Sequence, residues 1–298
     1  MPMGRRVPVN PAPRVRRGFV DLAKAQIHSR QAGDESGQSL DGARRPLVMV
    51  HASPSSSLGL VPLMNALATD RCVIAPDTIG NGDSVGEIPP DADVAFFAGM
   101  LAEALTALDI RDFDLYGTHT GASIATELAL THPQRVGALI LDGVGLYSDS
   151  FRDELLARYA PALTLDSQGS YLAWVWHFVR DTYMFWPWYR LDAEHRRAGG
   201  LPEPDVIHAK VVEVLKAAST YHHSYRAAIA FNKRASIPML RVPTLAACAR
   251  SDMLHVYFDE LRRLVPGGQG TWTDGTGSPE ATAATAALFR QFLNSHPT

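Results

Sequence analysis

Short, wholly apolar runs alternate with longer helical segments through two stretches of this chain, and a different pattern separates them. Pro46-Leu47-Val48-Met49-Val50 is uninterrupted and five residues long, which predicts a strand buried on both faces. Residues 71–76, 113–116, 138–141 and 242–248 repeat that character. Between them, residues 58–67, 94–108 and 123–130 predict helices, and a last helix is expected from Pro279 to Leu293. Phe19 to Leu22 and Gln26 to Arg30 suggest a hairpin, followed by a polar Gly/Ser-rich connection over residues 31–45. Strands that alternate with helices of about ten residues or more imply a mostly parallel sheet covered on both faces.

After Val144 the alternation stops. Residues 146 to about 236 are helical in pattern, rich in Tyr, Trp and Phe, and show no clear strand. The fold class expected is therefore α/β, a doubly wound sheet with an inserted helical cap. The divisions are a disordered basic arm over 1–17, a core over 18–145 and 238–298, and a cap over 146–237.

Composition changes this picture little. The chain has 298 residues, 46% of them apolar, enough for one large core. A net charge of -3 provides no basic field for nucleic acid or an anionic membrane. Cys72 and Cys248, the two cysteines, lie inside apolar strand-like runs. They point away from a disulfide framework and toward a reducing, cytoplasmic setting. The arginine- and proline-rich start has no apolar core of a secretory signal. The aromatic run from Tyr171 to Tyr189 is broken by Arg180, Asp181 and Pro187, which excludes a membrane span.

The candidate chemistry sits at Tyr116-Gly117-Thr118-His119-Thr120-Gly121-Ala122. This is the G-x-S-x-G nucleophile elbow, a sharp strand-to-helix turn that exposes its central side chain, with His119 in the serine's place. With His51-Ala52-Ser53-Pro54, matching H-G-x-P, and Ala75-Pro76-Asp77-Thr78-Ile79-Gly80-Asn81-Gly82-Asp83-Ser84, it makes three motifs at the ends of successive strands. Over roughly residues 18 to 294 the chain resembles the α/β-hydrolase superfamily. The likeness is to its cap-bearing branch of haloalkane dehalogenases, epoxide hydrolases and carbon–carbon bond hydrolases.

The resemblance implies a cap inserted after the sixth strand of that fold. It also implies an oxyanion hole made by the backbone N–H groups of Thr120 and Ser53. The family's acid matches Asp252, with Asp142 as a second candidate. The catalytic histidine has no counterpart, because Gly270-Thr271-Trp272-Thr273-Asp274-Gly275-Thr276-Gly277, the expected closing loop, contains none. Dehalogenation is disfavoured, since the elbow lacks the aspartate nucleophile of that family.

A base missing from one place and gained at another suggests relocation. At the positive end of the following helix the imidazolium is disfavoured, so His119 is expected to be neutral, with a depressed pKa, and to act as general base or electrophile. The bland alternative is an imidazole filling the elbow of a catalytically silent copy. His51 reads first as a structural loop residue and second as a substrate contact; Asp77 reads as a turn tie. His222 and His223 could solvate a helix face or reach the cleft.

Trp174, Trp176, Trp186 and Trp188, four of the five tryptophans, fall within fifteen residues. Such density packs a lid onto its core, while the lid's inner face would bring Trp174 and Trp186 to the ligand. The function expected is that of an enzyme of hydrolase ancestry acting on a small apolar, aromatic or polycyclic carbonyl compound, by hydrolysis or by lyase or isomerase chemistry. Non-catalytic ligand binding and cofactor-independent oxygenation are the rivals. No cofactor or metal motif is read, and a homodimer is compatible with the sequence.

Overall fold

The computed structural model describes residues 14–33 and 44–296. Most of the expected arm and of the polar connection lie outside these residues. Where they are described they are ordered: strand β1 (Arg16–Asp21) takes in the last residues assigned to the arm, and β2 (Ala25–Ala32) the first two of the connection. The two strands pair antiparallel with Phe19 opposite His28, so β pairing claims residues that read as tail by composition.

The sheet continues with β3 (Leu47–Val50), β4 (Val73–Pro76), the two-residue β5 (Val85–Gly86), β6 (Phe113–Thr118), β7 (Val136–Asp142), β8 (Thr244–Ala249) and β9 (Gly270–Thr273). Its order is β1-β2-β4-β3-β6-β7-β8-β9, with β5 on β2. From β4 to β9 the pairing is parallel. Strand β9 corrects the sequence reading, which took its residues as loop. A short run with one large apolar residue, Trp272, carries no alternation signal, yet it pairs residue for residue with Ala246–Ala249.

The helices are α1 (Val61–Leu67), α2 (Val94–Ala107), α3 (Thr120–Thr131), α4 (Asp149–Arg158), α5 (Ser170–Met184), α6 (Pro204–Lys216), α7 (Tyr221–Ala230), α8 (Lys233–Ser236), α9 (Phe258–Leu264) and α10 (Pro279–Asn294). Buried strands need cover on both faces, and the two-residue period supplies it. Leu47 and Met49 pack on Leu63, Met64 and Leu67 of α1 and Phe289 and Phe292 of α10. Val48 and Val50 face Phe97 and Leu105 of α2 and Ile124 and Leu128 of α3. Polar stops set the ends: the Asp93 carboxylate accepts from the Phe96 N–H at the start of α2, and Ser278 Oγ accepts from Ala281 N–H ahead of Pro279 in α10.

Helices α4 to α8 all lie between β7 and β8. Without β5, β7 is the sixth strand in chain order. The chain leaves β3 toward β4 on one side and returns to β6 on the other, so the carboxyl ends of β3 and β6 flank the switch in strand order where open α/β sheets bind ligands. The loop at His51 and the elbow at His119 follow those two strand ends.

Candidate active site

Tight packing makes the elbow. A Cβ on Gly117 would stand 2.4 Å from the Gly121 carbonyl oxygen, and one on Gly121 would stand 2.2 Å from that of Val50. Neither position admits a side chain, because helix α3 starts directly against the sheet. Between them His119 adopts φ 52 and ψ -111. For a residue with a Cβ that conformation costs on the order of 1–3 kcal/mol, and it leaves the ring at the carboxyl edge of the sheet.

The ring meets an acid. His119 Nε2 lies 2.7 Å from Asp252 Oδ2, and Asp252 is placed by the turn after β8, where its own Oδ1 accepts from the Leu254 N–H. A carboxylate only accepts, so Nε2 carries the hydrogen and the neutral ring keeps its lone pair on Nδ1. Among the described residues Nδ1 has no hydrogen-bond partner. Gly143, with φ +65, makes room for the pair: a Cβ there would sit 2.7 Å from both Nε2 and Cδ2 of the ring.

The electrostatics correct the sequence reading. Burial works against the imidazolium, but the charge and hydrogen bond of Asp252, with help from Asp142, outweigh it and raise the His119 pKa above its ordinary value. The helix-end argument fails because a carboxylate at contact distance acts more strongly than a partial helix charge. Burial likewise opposes the Asp252 charge, and the ring overcomes it, holding the carboxyl below the usual range.

His119 and Thr120 line a partly open cavity whose walls include Tyr147, Leu155, Tyr159, Trp186, Tyr225 and Ile229. Its volume is ≈ 60 Å³. That is smaller than the roughly 150 Å³ that accommodates benzene.

The other sequence candidates fall into two groups. Thr120 opens α3, where an amide has no intrahelical acceptor, and it lines the cavity. Trp186 lines it too and packs edge-on against Tyr159. The remaining residues stand back. Ser53 is buried, with Oγ 2.8 Å from Ser224 Oγ; its N–H makes no bond to another backbone group among the described residues. The His51 ring is pinned: Nε2 accepts from the Thr78 N–H and Nδ1 donates to the Ala52 carbonyl. Burial, partly countered by Asp77, lowers its pKa. Asp142 accepts from the Tyr116 hydroxyl at 2.8 Å and receives the His119 backbone N–H on its own carbonyl; burial pushes its carboxyl up to about 6.

Trp174 stacks on Phe178, 5.1 Å between ring centres, inside the core of the inserted helices. His222 lines a separate, open cavity beside residues 90–95. Arg180 pairs with Asp181 at 2.7 Å, within the insertion. Asp77 is a structural hub, accepting from Ser57, Asp83 and His28. His28, Asp77 and Asp83 come close enough together to hold a cation. Arg17 and Lys216 already neutralise Asp83, and Arg17 Nε donates to His28.

Sequence reasoning missed several residues of the cavity wall. Ser123, one turn beyond His119, has a buried hydroxyl without a hydrogen-bond partner among the described residues. Its four-residue spacing from His119 was the available signal. Lys233 and Tyr147 carried none, since only the path of the chain through the insertion brings them to the elbow.

Comparison with known proteins agrees with this architecture. The α/β hydrolase fold family matches residues 45–265. A 2-hydroxymuconate semialdehyde hydrolase of Pseudomonas sp. (strain CF600) is 39% identical over 107 residues, 34% of this chain and 37% of that protein. A haloalkane dehalogenase of Mesorhizobium japonicum is 42% identical over 101 residues, 32% of this chain and 31% of its own. The chain thus aligns with about a third of the length of either relative. The enol-lactonase of Burkholderia xenovorans LB400 superposes with a TM-score of 0.69 at 17% identity, covering 93% of this chain and 100% of its own. Epoxide Hydrolase A of Mycobacterium thermoresistibile gives 0.70 at 16%, covering 95% and 98%. At such identities these structures share the fold alone. With that sheet order, the glycine-framed elbow and a family match over most of its length, the chain belongs to the α/β-hydrolase fold family of enzymes.

Proposed function

We propose that this protein hydrolyses or cleaves a small apolar carbonyl compound by general-base catalysis, with His119 acting as the base. The observation that carries this reading is the His119–Asp252 pair, which holds Nε2–H at 2.7 Å and leaves Nδ1 unpartnered at a cavity wall. Nδ1 takes a proton from water as the oxygen adds to the substrate carbonyl, and Asp252 stabilises the imidazolium that forms. The Thr120 amide at the cavity wall donates to the developing oxyanion, and the proton then passes to the leaving group. A single residue at the elbow thus combines the position of the usual nucleophile with the role of the usual base. The helices of residues 146–237 serve as the cap over the site. A relative named as a semialdehyde hydrolase supports a carbonyl substrate.

Turnover of short acyl esters and small lactones, read with ¹⁸O-water, tests the mechanism. Label should enter the acid product in one turnover without an acyl-enzyme, and a fluorophosphonate probe should leave residue 119 unlabelled. Robust turnover by His119→Ala would overturn the reading.

A further inference from the structure

A second reactive group stands on the same wall. The sequence contains four lysines: 24, 210, 216 and 233. The first three meet carboxylates, Lys24 with Glu87, Lys210 with Glu213 and Lys216 with Asp83. Lys233 is 7% exposed and has no carboxylate partner among the described residues. Its Nζ donates to the Ala228 carbonyl at 2.5 Å and lies 5.7 Å from the centre of the Tyr147 ring. Lysines are almost never buried without a partner, because an isolated ammonium is costly outside water. Lys233 nonetheless lines the cavity that His119 lines.

We propose that Lys233 is a covalent capture site for small aldehydes and ketones, which it binds as an imine in this cavity. The Nζ lone pair attacks the carbonyl carbon, and the C–N bond forms as the carbonyl oxygen takes up a proton. Loss of that oxygen as water, with the two amine hydrogens accounted for in it, gives the C=N bond. No oxidant or reductant enters. The step needs a neutral amine, and burial, reinforced by the neighbouring Arg234 charge, lowers the Lys233 pKa to about 7. The bond to Ala228, one of the last carbonyls of α7, also gives the side chain a capping role. A capping role alone predicts no adduct. The proposal uses the cavity but does not require His119 to act as a base, so each can fail without the other.

The test is reductive trapping on the full chain. The protein is incubated with propanal and cyanoborohydride at pH 7, digested and mapped by mass spectrometry. Lys233 should gain the propyl mark at an initial rate at least tenfold above that of Lys24, Lys210 or Lys216. His119→Ala should keep the mark. Lys233→Arg, which retains a capping cation, and Lys233→Met should lose it. The wild-type map decides even if both variants fold poorly. Labelling of the other three lysines with Lys233 unmodified overturns the proposal.

Discussion

Two His–Asp pairs in this molecule have nearly the same length and opposite character. His28 Nδ1 meets Asp77 Oδ2 at 2.8 Å with both side chains buried, 0% and 1% exposed. His119 Nε2 meets Asp252 Oδ2 at 2.7 Å with 26% and 21% exposed. In the first, the second ring nitrogen accepts from Arg17, and the carboxylate also takes the hydrogens of Ser57 and Asp83. Every lone pair has a structural task. In the second, one ring nitrogen is left over at a cavity. Pair distance therefore says little about chemistry; the unfilled lone pair and its access to a ligand do.

The contrast can be broken most directly at the two histidine–carboxylate centres. His119→Ala should reduce kcat/KM by about 10²–10⁴-fold, with stability changed by less than about 1 kcal/mol in urea unfolding. Asp77→Asn should do the reverse. It presents an amide where buried donors expect an acceptor, and should cost about 3 kcal/mol while leaving the residual activity of folded protein near wild type. Equal losses of activity in the two variants would erase the distinction.

A pH profile sharpens it. A base must be neutral to act, so kcat/KM should rise with pH to a plateau, with a midpoint above the ordinary histidine value of about 6.5. Asp252→Asn should move the midpoint down and lower the plateau by about 10- to 100-fold. The same raised pKa gives a stabilising contribution present below the unfolded value, which is lost as pH climbs through the folded one.

Gly143→Ala puts a methyl against the ring at a residue with φ +65. It should lower activity about tenfold, the effect of a displaced base, and cost about 1–2 kcal/mol in stability. Asp142→Asn is the mildest change. Burial raises its carboxyl to about 6, so the fold favours the protonated form and loses stability as pH rises through that value. At pH 8 the amide should stabilise the protein by about 1 kcal/mol, with no gain at pH 4. Thermal melts at both pH values check the sign.

What the sequence made legible differs from element to element. Strands β3, β6 and β8 were legible because burial on both faces demands unbroken apolar runs. The elbow was legible because only glycine fits at 117 and 121. Strand β9 escaped notice because its residues are ordered by an edge pairing that composition does not encode. The placement of Asp252 after β8 was readable by resemblance, but its contact with His119 was not. The depressed pKa was a wrong expectation because it weighed the near neighbour in sequence, a helix end, and omitted a carboxylate 133 residues away.

By itself, then, the chain determined its layers, its turn at residue 119 and the identity of the side chain there, since periodicity and glycine sterics act over a few residues. The tertiary structure decided what surrounds that side chain. It brought the strand ends at 50, 118, 142 and 249 to one edge of the sheet and folded residues 146–237 between the last two. Ionisation and access depend on charges and walls within a few ångströms in space, and those come from segments that are far apart along the chain.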